Sequence, residues 1–249
     1  MNYVENYRVH LENLVRTLGK ARAMQHVVGG DYEPIGQLEF SLLRTLGLKE
    51  NDTILDIGCG TGRLGYAMRK EHTGKYIGTD ILQDMLDYAR DRIGRSDWRY
   101  LLSSAPPIPL ADASVDIICL FSVFTHLLDE DVFRYLIEIR RLLKPDGFAV
   151  FSFLDFSVYS HWTIFERMLA DVDKSVLSRF TSKDALTVLV GRAGMEVETF
   201  WNGDEPKVKL DAPIHYDDGR VDTGQLGFGQ SVCVCRKSRT DSKDAPSDV

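Results

Sequence analysis

Apolar residues recur at three- and four-residue intervals through Val4, Leu11, Leu14, Val15 and Leu18, the period of an amphipathic helix, until Gly29 and Gly30 stop the pattern. Ile35, Leu38, Leu42, Leu43 and Leu46, closed by Gly47, predict a second helix over 34–46. Short apolar runs then alternate with helical patterns. The runs predict strands over 53–58, 75–80, 98–102, 115–121, 148–153, 195–201 and 231–235, and the patterns between them predict helices over 63–71, 82–93, 129–143 and 181–193. Residues 115–121 are almost continuously apolar, as a strand covered on both faces of a parallel sheet must be. Lys144-Pro145-Asp146-Gly147 ends the helix before the next strand. The stretch 202–229 is rich in Asp, Gly and Pro and predicts a loop or hairpin excursion, while 238–249 has almost no apolar residues and is expected to be a disordered tail. No internal repeat is present, and the alternation predicts a doubly wound α/β sheet.

Composition narrows this further. A chain of 249 residues, 44% hydrophobic, with no Pro/Gly-rich linker in its middle, is expected to form one sizeable core with trimmings. A formal net charge of −7 gives no broad basic footprint for a phosphate backbone, so nucleic acid is not an expected partner. No apolar run approaches the ~20 residues of a membrane helix, and the polar first residues do not resemble a signal peptide. The expectation is a cytoplasmic protein without a membrane partner, its oligomeric state unstated. Cys59, Cys119, Cys233 and Cys235 sit within apolar runs without zinc-like spacing, and they are read as reduced packing residues with no metal site.

The chemistry concentrates where the first strand ends. Ile54-Leu55-Asp56-Ile57-Gly58-Cys59-Gly60-Thr61-Gly62 runs an apolar strand into an acid and three alternating glycines, the construction by which an open α/β sheet makes a nucleotide pocket beyond its strand ends. Gly60, Gly62 and Gly65 also satisfy the dinucleotide fingerprint, with Asp80 at about the 20-residue spacing of a ribose-binding acid. Asp56 separates the two possibilities. A carboxylate at the strand tip would repel a pyrophosphate seated on the glycine turn, whereas it attracts the ammonium and sulfonium of S-adenosylmethionine.

Leu55-Asp56-Ile57-Gly58-Cys59-Gly60-Thr61-Gly62 resembles the first motif of class I S-adenosylmethionine-dependent methyltransferases. Gly78-Thr79-Asp80 resembles their second-strand acid, and Leu142-Leu143-Lys144-Pro145-Asp146-Gly147 resembles the turn before their fifth strand. The resemblance runs in order from about Asp31 to Phe153, and the run near 231–237 resembles the family's closing strand. It implies a Rossmann-like, mostly parallel seven-stranded sheet with an antiparallel last strand and helices on both faces. The implied organisation is an N-terminal helical cap over 1–30, the methyltransferase domain over 31–237 and a tail over 238–249.

The resemblance also assigns roles. Asp56 with the backbone of Gly58, Cys59 and Gly60 would hold the aminoacyl end of the cofactor, Asp80 the ribose hydroxyls, and Ile81 one side of the adenine. Ser104-Ala105 stands where the family often has an Asp or Asn for the adenine amine, and serine offers only a short neutral hydroxyl there. Phe121 and Ser122 would line the methyl side.

Methyl transfer is an in-line displacement served mainly by alignment and exclusion of water. An alcohol acceptor must also lose a proton, and His126, just beyond the fourth strand, is either the general base for that step or a group that holds its loop by a backbone bond. Asp155, Tyr159, His161 and Trp162, on an expected loop after the fifth strand, and His215 and Tyr216 in the late excursion, are the candidates for the acceptor pocket, with a surface turn and a helix start as the alternative for the first group. The strand ending at Ser122 lacks the Asn/Asp-Pro-Pro-aromatic signature of amide- and base-nitrogen methylation, and no metal arrangement resembling catechol methylation is present. The expected acceptor is a small molecule, foremost an O-methylated sugar or secondary metabolite. Nitrogen or carbon methylation stays open, as does a protein that binds the cofactor without turnover.

Overall fold

The computed structural model describes residues 2–170 and 178–238. The expected tail lies outside the described residues from 239 onward. In chain order the helices are α1 (Tyr3–Leu18), α2 (Lys20–His26), α3 (Tyr32–Thr45), α4 (Arg63–Met68), α5 (Gln83–Ile93), α6 (Asp129–Leu142), α7 (Tyr159–Ala170) and α8 (Lys183–Arg192). The strands are β1 (Ile54–Ile57), β2 (Tyr76–Asp80), β3 (Arg99–Leu102), β4 (Val115–Leu120), β5 (Leu143–Asp155), β6 (Phe180–Thr181), β7 (Met195–Trp201), β8 (Val208–Lys209), β9 (Ile214–His215), β10 (Val221–Asp222), β11 (Gln225–Leu226) and β12 (Ser231–Lys237).

The main path of the sheet runs β3-β2-β1-β4-β5-β12-β7, with β6 beside the end of β5. β1 pairs in parallel with β2 and β4, and β12 is antiparallel to both β5 and β7. The order in which strands are added reverses between β1 and β4, which run parallel, and this opens the crevice where ligands of doubly wound folds sit. Period-two alternation sends Leu55, Ile57, Ile118 and Phe151 to one face, where they pack under Leu136 and Ile139 of α6 and Leu186 of α8. Ile54, Ile117, Cys119 and Val150 face the other way, against Leu42 and Leu43 of α3, Leu64 of α4 and Ile93 of α5. Helices therefore cover both faces. All four cysteines are buried and unbridged.

Three local outcomes differ from the sequence pattern. The first helical stretch breaks into α1 and α2 at Gly19, whose φ of 76° lies in the left-handed region. Lys144-Pro145-Asp146-Gly147 does not separate helix from strand as a turn; it belongs to the start of β5 and bulges outward, because Leu143 pairs with Val115 and Phe148 already pairs with Ile117. Tyr159, His161 and Trp162, expected on a loop with a helix start as the alternative, lie in helix α7. The excursion over 202–229 resolves into two small antiparallel pairs, β8 with β11 and β9 with β10.

Candidate functional site

A cavity of about 590 Å³ lies beyond the carboxyl ends of β1, β2, β4 and β5, with one face of α1 and the segment His26–Gly29 closing over it. Among the sequence-derived cofactor residues, Asp56, Gly58, Cys59, Gly60, Asp80, Ile81, Ser104, Phe121 and Ser122 line it. Ala105 does not; it sits in an adjoining hollow with Ser104, Tyr3 and Asp131.

The turn between β1 and α4 needs its glycines. Gly58 and Gly60 adopt φ of 69° and 57°, and a Cβ on either would come within 2.5 Å of a valine methyl, Val123 at Gly58 and Val28 at Gly60. The turn is gripped on one side by the loop after β4 and on the other by the cap. Gly62, at φ 83°, then opens α4.

Asp80 braces this turn directly. Gly60 N–H donates to its Oδ2 at 2.9 Å, and Leu82 N–H donates to Oδ1 at 3.0 Å. Burial nonetheless pushes its carboxyl up to about 6, partly offset by those backbone donors. Asp56, paired in register with Gly78 and Cys119, accepts the Tyr76 hydroxyl at 2.7 Å. Burial is the largest influence on it as well; Tyr76 pulls the other way and the Glu39 carboxylate adds to the rise, which brings it to about 7.

Two neighbours that the sequence reading missed complete this end of the cavity. Arg63 Nε donates to Glu39 Oε1 at 2.7 Å, and its other guanidinium nitrogens reach the same oxygen at 2.6 Å and the carbonyls of Val28 and Gly29 at 3.0 and 2.8 Å. One guanidinium thus ties the glycine-turn helix, α3 and the cap together. It is the single Arg or Lys among the described lining residues, against the carboxylates Glu39, Asp56 and Asp80. That excess of negative charge fits a cationic ligand end and opposes a pyrophosphate.

Toward β4 and β5, Ser122 has φ of 59°, rare for a residue with a Cβ, and its N–H donates to Ser152 Oγ at 2.7 Å. His126, in a short 3₁₀ turn (Phe124–His126), lines the cavity with the Tyr7 ring edge-on against its imidazole at 5.6 Å between centroids. Tyr3, Tyr7 and His10 reach the cavity from α1 at helical spacing, a face adjacent to the apolar stripe and readable only from it.

None of the six acceptor candidates lines the cavity. Asp155 and His161 are buried and locked to backbone: Asp155 N–H donates to His161 Nδ1 at 2.9 Å, His161 Nε2 donates to the Gly229 carbonyl at 2.9 Å, and Asp155 Oδ1 accepts from Ser157 N–H and Oγ. Together they fasten the start of α7 to the chain before β12. Trp162 donates to Glu166 and Tyr159 stands in solvent. His215 belongs to β9, and Tyr216 packs into the core beside α3 with Arg220 over its ring at 3.6 Å. Beyond β4 and β5 the cavity is lined instead by Leu154, Ile164, Met168 and Gln230.

Residues 55–151 match the Methyltransferase domain family. The Cellvibrio japonicus biotin biosynthesis bifunctional protein BioHC is 32% identical over 197 residues, covering 77% of this chain and 37% of that protein. The Serratia marcescens malonyl-[acyl-carrier protein] O-methyltransferase is 33% identical over 129 residues, 50% of this chain and 49% of that protein. The chain spans less than half the length of either relative. In fold it resembles the magnesium protoporphyrin IX methyltransferase of Synechocystis solved with bound SAH, at a TM-score of 0.61 and 12% identity over 93% of this chain and all of that one, 100%. Among the described residues no helix is long and apolar enough to cross a membrane. With the domain match spanning the glycine turn through β5, the sheet order and the acids at the tips of β1 and β2, residues 55–151 carry a methyltransferase domain, and the chain has the fold of the class I S-adenosylmethionine-dependent methyltransferases.

Proposed function

We propose that this chain transfers a methyl group from S-adenosylmethionine to an oxygen of a small-molecule acceptor, a secondary metabolite or a sugar. The observation that carries the reading is the pair of buried acids, Asp56 and Asp80, on adjacent strands across a glycine turn that opens into one cavity. When bound, the cofactor supplies an activated methyl on a sulfonium.

In this reading Asp56 and the backbone of Gly58, Cys59 and Gly60 hold the aminoacyl end, and Asp80 takes the ribose hydroxyls while keeping its hold on Gly60. Ile81 and Ser104 flank the base. Phe121 and Ser122 shape the methyl side, and His126 accepts the proton an alcohol releases on attack. Tyr7 keeps the imidazole in place by its edge contact.

Incubation with methyl-labelled S-adenosylmethionine and a panel of neutral alcohols, amines and carbon acids tests it. Label recovered in a methyl ether, and lost in His126→Ala while cofactor affinity is retained, supports the reading. Label on nitrogen or carbon transfers the conclusion to that acceptor class. Tight cofactor binding with no transfer to any acceptor identifies a binding protein instead.

A further inference from the structure

The two ends of the cavity differ in what they present. The end over β1 and β2 holds Asp56, Asp80 and the Arg63–Glu39 pair. The end over β4 and β5 has no Lys or Arg among its described lining residues, and its walls are Phe121, Val123, Leu127, Leu154, Ile164 and Met168. Of its polar groups, the Thr125 hydroxyl is already spent on the Ser122 carbonyl at 3.0 Å. Ile164 is 38% exposed while lining the cavity, so the wall formed by α7 reaches the surface. The same helix carries exposed Tyr159, Trp162 and Leu169 outward from there, beside exposed Phe156 and its ring contact with Phe165 at 5.6 Å.

An anionic acceptor at this end would meet no fixed cation and would share a cavity with three carboxylates. Among the described residues, a polyhydroxylated acceptor would find only Ser122, His126, Ser178 and the buried, unpartnered Oε1 of Gln230 at this end, and would leave its remaining hydroxyls against hydrocarbon at a cost for each one unpaired. We propose that the acceptor is a neutral, largely apolar alcohol, a phenol in the simplest case, that enters along α7 past Ile164 and Met168 and turns its single hydroxyl toward Ser122 and His126. The proposal rests on the functional reading above for the reaction, but the apolar subsite has a binding readout of its own.

Calorimetric titration of the full chain, with and without S-adenosylhomocysteine, would compare 2-naphthol, 2-naphthoate and methyl glucoside at pH 7, where the first is neutral and the second ionised. Binding of 2-naphthol at least roughly tenfold tighter than the other two supports the subsite. So does a roughly tenfold loss of that binding in Ile164→Glu and Met168→Glu, neither of which is a core position, with cofactor affinity held. Equal or tighter binding of naphthoate or glucoside overturns it, as does no binding of any of the three or unchanged naphthol affinity in both variants. Binding of 2-naphthol without methyl transfer to any acceptor upholds the subsite and overturns the methyltransferase reading, so the two failures are told apart.

Discussion

The Gly60 amide donates to the Asp80 carboxylate at 2.9 Å across the gap between β1 and β2. The second acid of the site therefore holds the shape of the glycine turn as well as facing the cavity. Asp80→Ala is expected to weaken S-adenosylmethionine binding by roughly 10- to 100-fold, the scale of charge-assisted bonds lost together with the turn's brace. Calorimetry on the variant reads this directly, and wild-type affinity in Asp80→Ala would remove Asp80 from the cofactor site.

Asp56, raised to about 7, and Asp80, raised to about 6, both hold protons in the folded protein that an exposed aspartate would have released. Groups raised on folding contribute stability that is full below about pH 4 and lost as pH climbs through 6 to 7. The ligand-free protein should therefore melt at lower temperature at pH 8 than at pH 5 from these groups. A cationic ligand favours the ionised acids, so affinity should rise over the same interval. Thermal shift with and without S-adenosylmethionine across pH 5 to 8 checks both signs; a ligand-induced shift that shrinks toward pH 8 would contradict the assignment.

Tyr76 is the partner that keeps Asp56 from rising further. Tyr76→Phe removes a buried hydroxyl and leaves the carboxylate without that donor. The pH at which cofactor affinity reaches half its plateau should move upward, and stability should fall by about 1 kcal/mol. An unmoved midpoint would mean that Asp56 does not govern the pH dependence.

Arg63 and Glu39 form a nearly solvent-free ion pair, with side-chain exposures of 11% and 2%. Removing one partner strands a buried charge. Arg63→Met alone is expected to cost about 3–5 kcal/mol, and Arg63→Met combined with Glu39→Gln distinctly less. Denaturant unfolding of the two variants measures the difference, and equal losses would show that the pair is not the source of the cost.

The cap is also committed to the cofactor end. Val28 packs on Gly60, and its carbonyl receives Arg63. Met24 and Val27 sit in one apolar cluster with Leu82 and Met85 of the β2–α5 segment. The family resemblance implies only a helical cap over residues 1–30. The contacts extend this, so deletion of residues 1–28 should lower cofactor affinity by at least roughly tenfold besides abolishing transfer. Unchanged cofactor affinity in the truncated protein would confine the cap to an acceptor-only role.

Most of the sheet was legible because its strands are short, apolar and bounded by glycine or acid, which is how buried parallel strands must read. β7 matches its expected range at both ends, and β4 differs by one residue. Helix α7 was reached only as an alternative, a surface turn with a helix start. Its apolar residues Trp162, Ile164, Phe165, Met168 and Leu169 do recur at helical spacing on one side, but the polar and aromatic groups at its start, Tyr159, His161 and Trp162, drew the segment toward a loop reading. The two cavity acids, Asp56 and Asp80, were readable from spacing along consecutive elements. The other end of the cavity was not, since Leu154 of β5, Ile164 of α7 and Gln230 before β12 carry no chemistry that marks them. Asp155 and His161 drew attention as polar groups after β5, yet Asp155 Oδ1 accepts the Ser157 N–H and the His161 ring bonds the backbone of Asp155 and Gly229, a common fate of polar residues at a helix start.

The central claim is that Asp56 selects a cationic methyl donor over a dinucleotide. Paired calorimetric titrations of the wild-type chain and Asp56→Asn with S-adenosylmethionine and with NAD at pH 8 test it most directly. Binding of S-adenosylmethionine and not of NAD by the wild type, with the S-adenosylmethionine affinity weakened in an Asp56→Asn variant that keeps its fold, is the predicted result. Binding of NAD by the wild type with no affinity for S-adenosylmethionine would contradict the account.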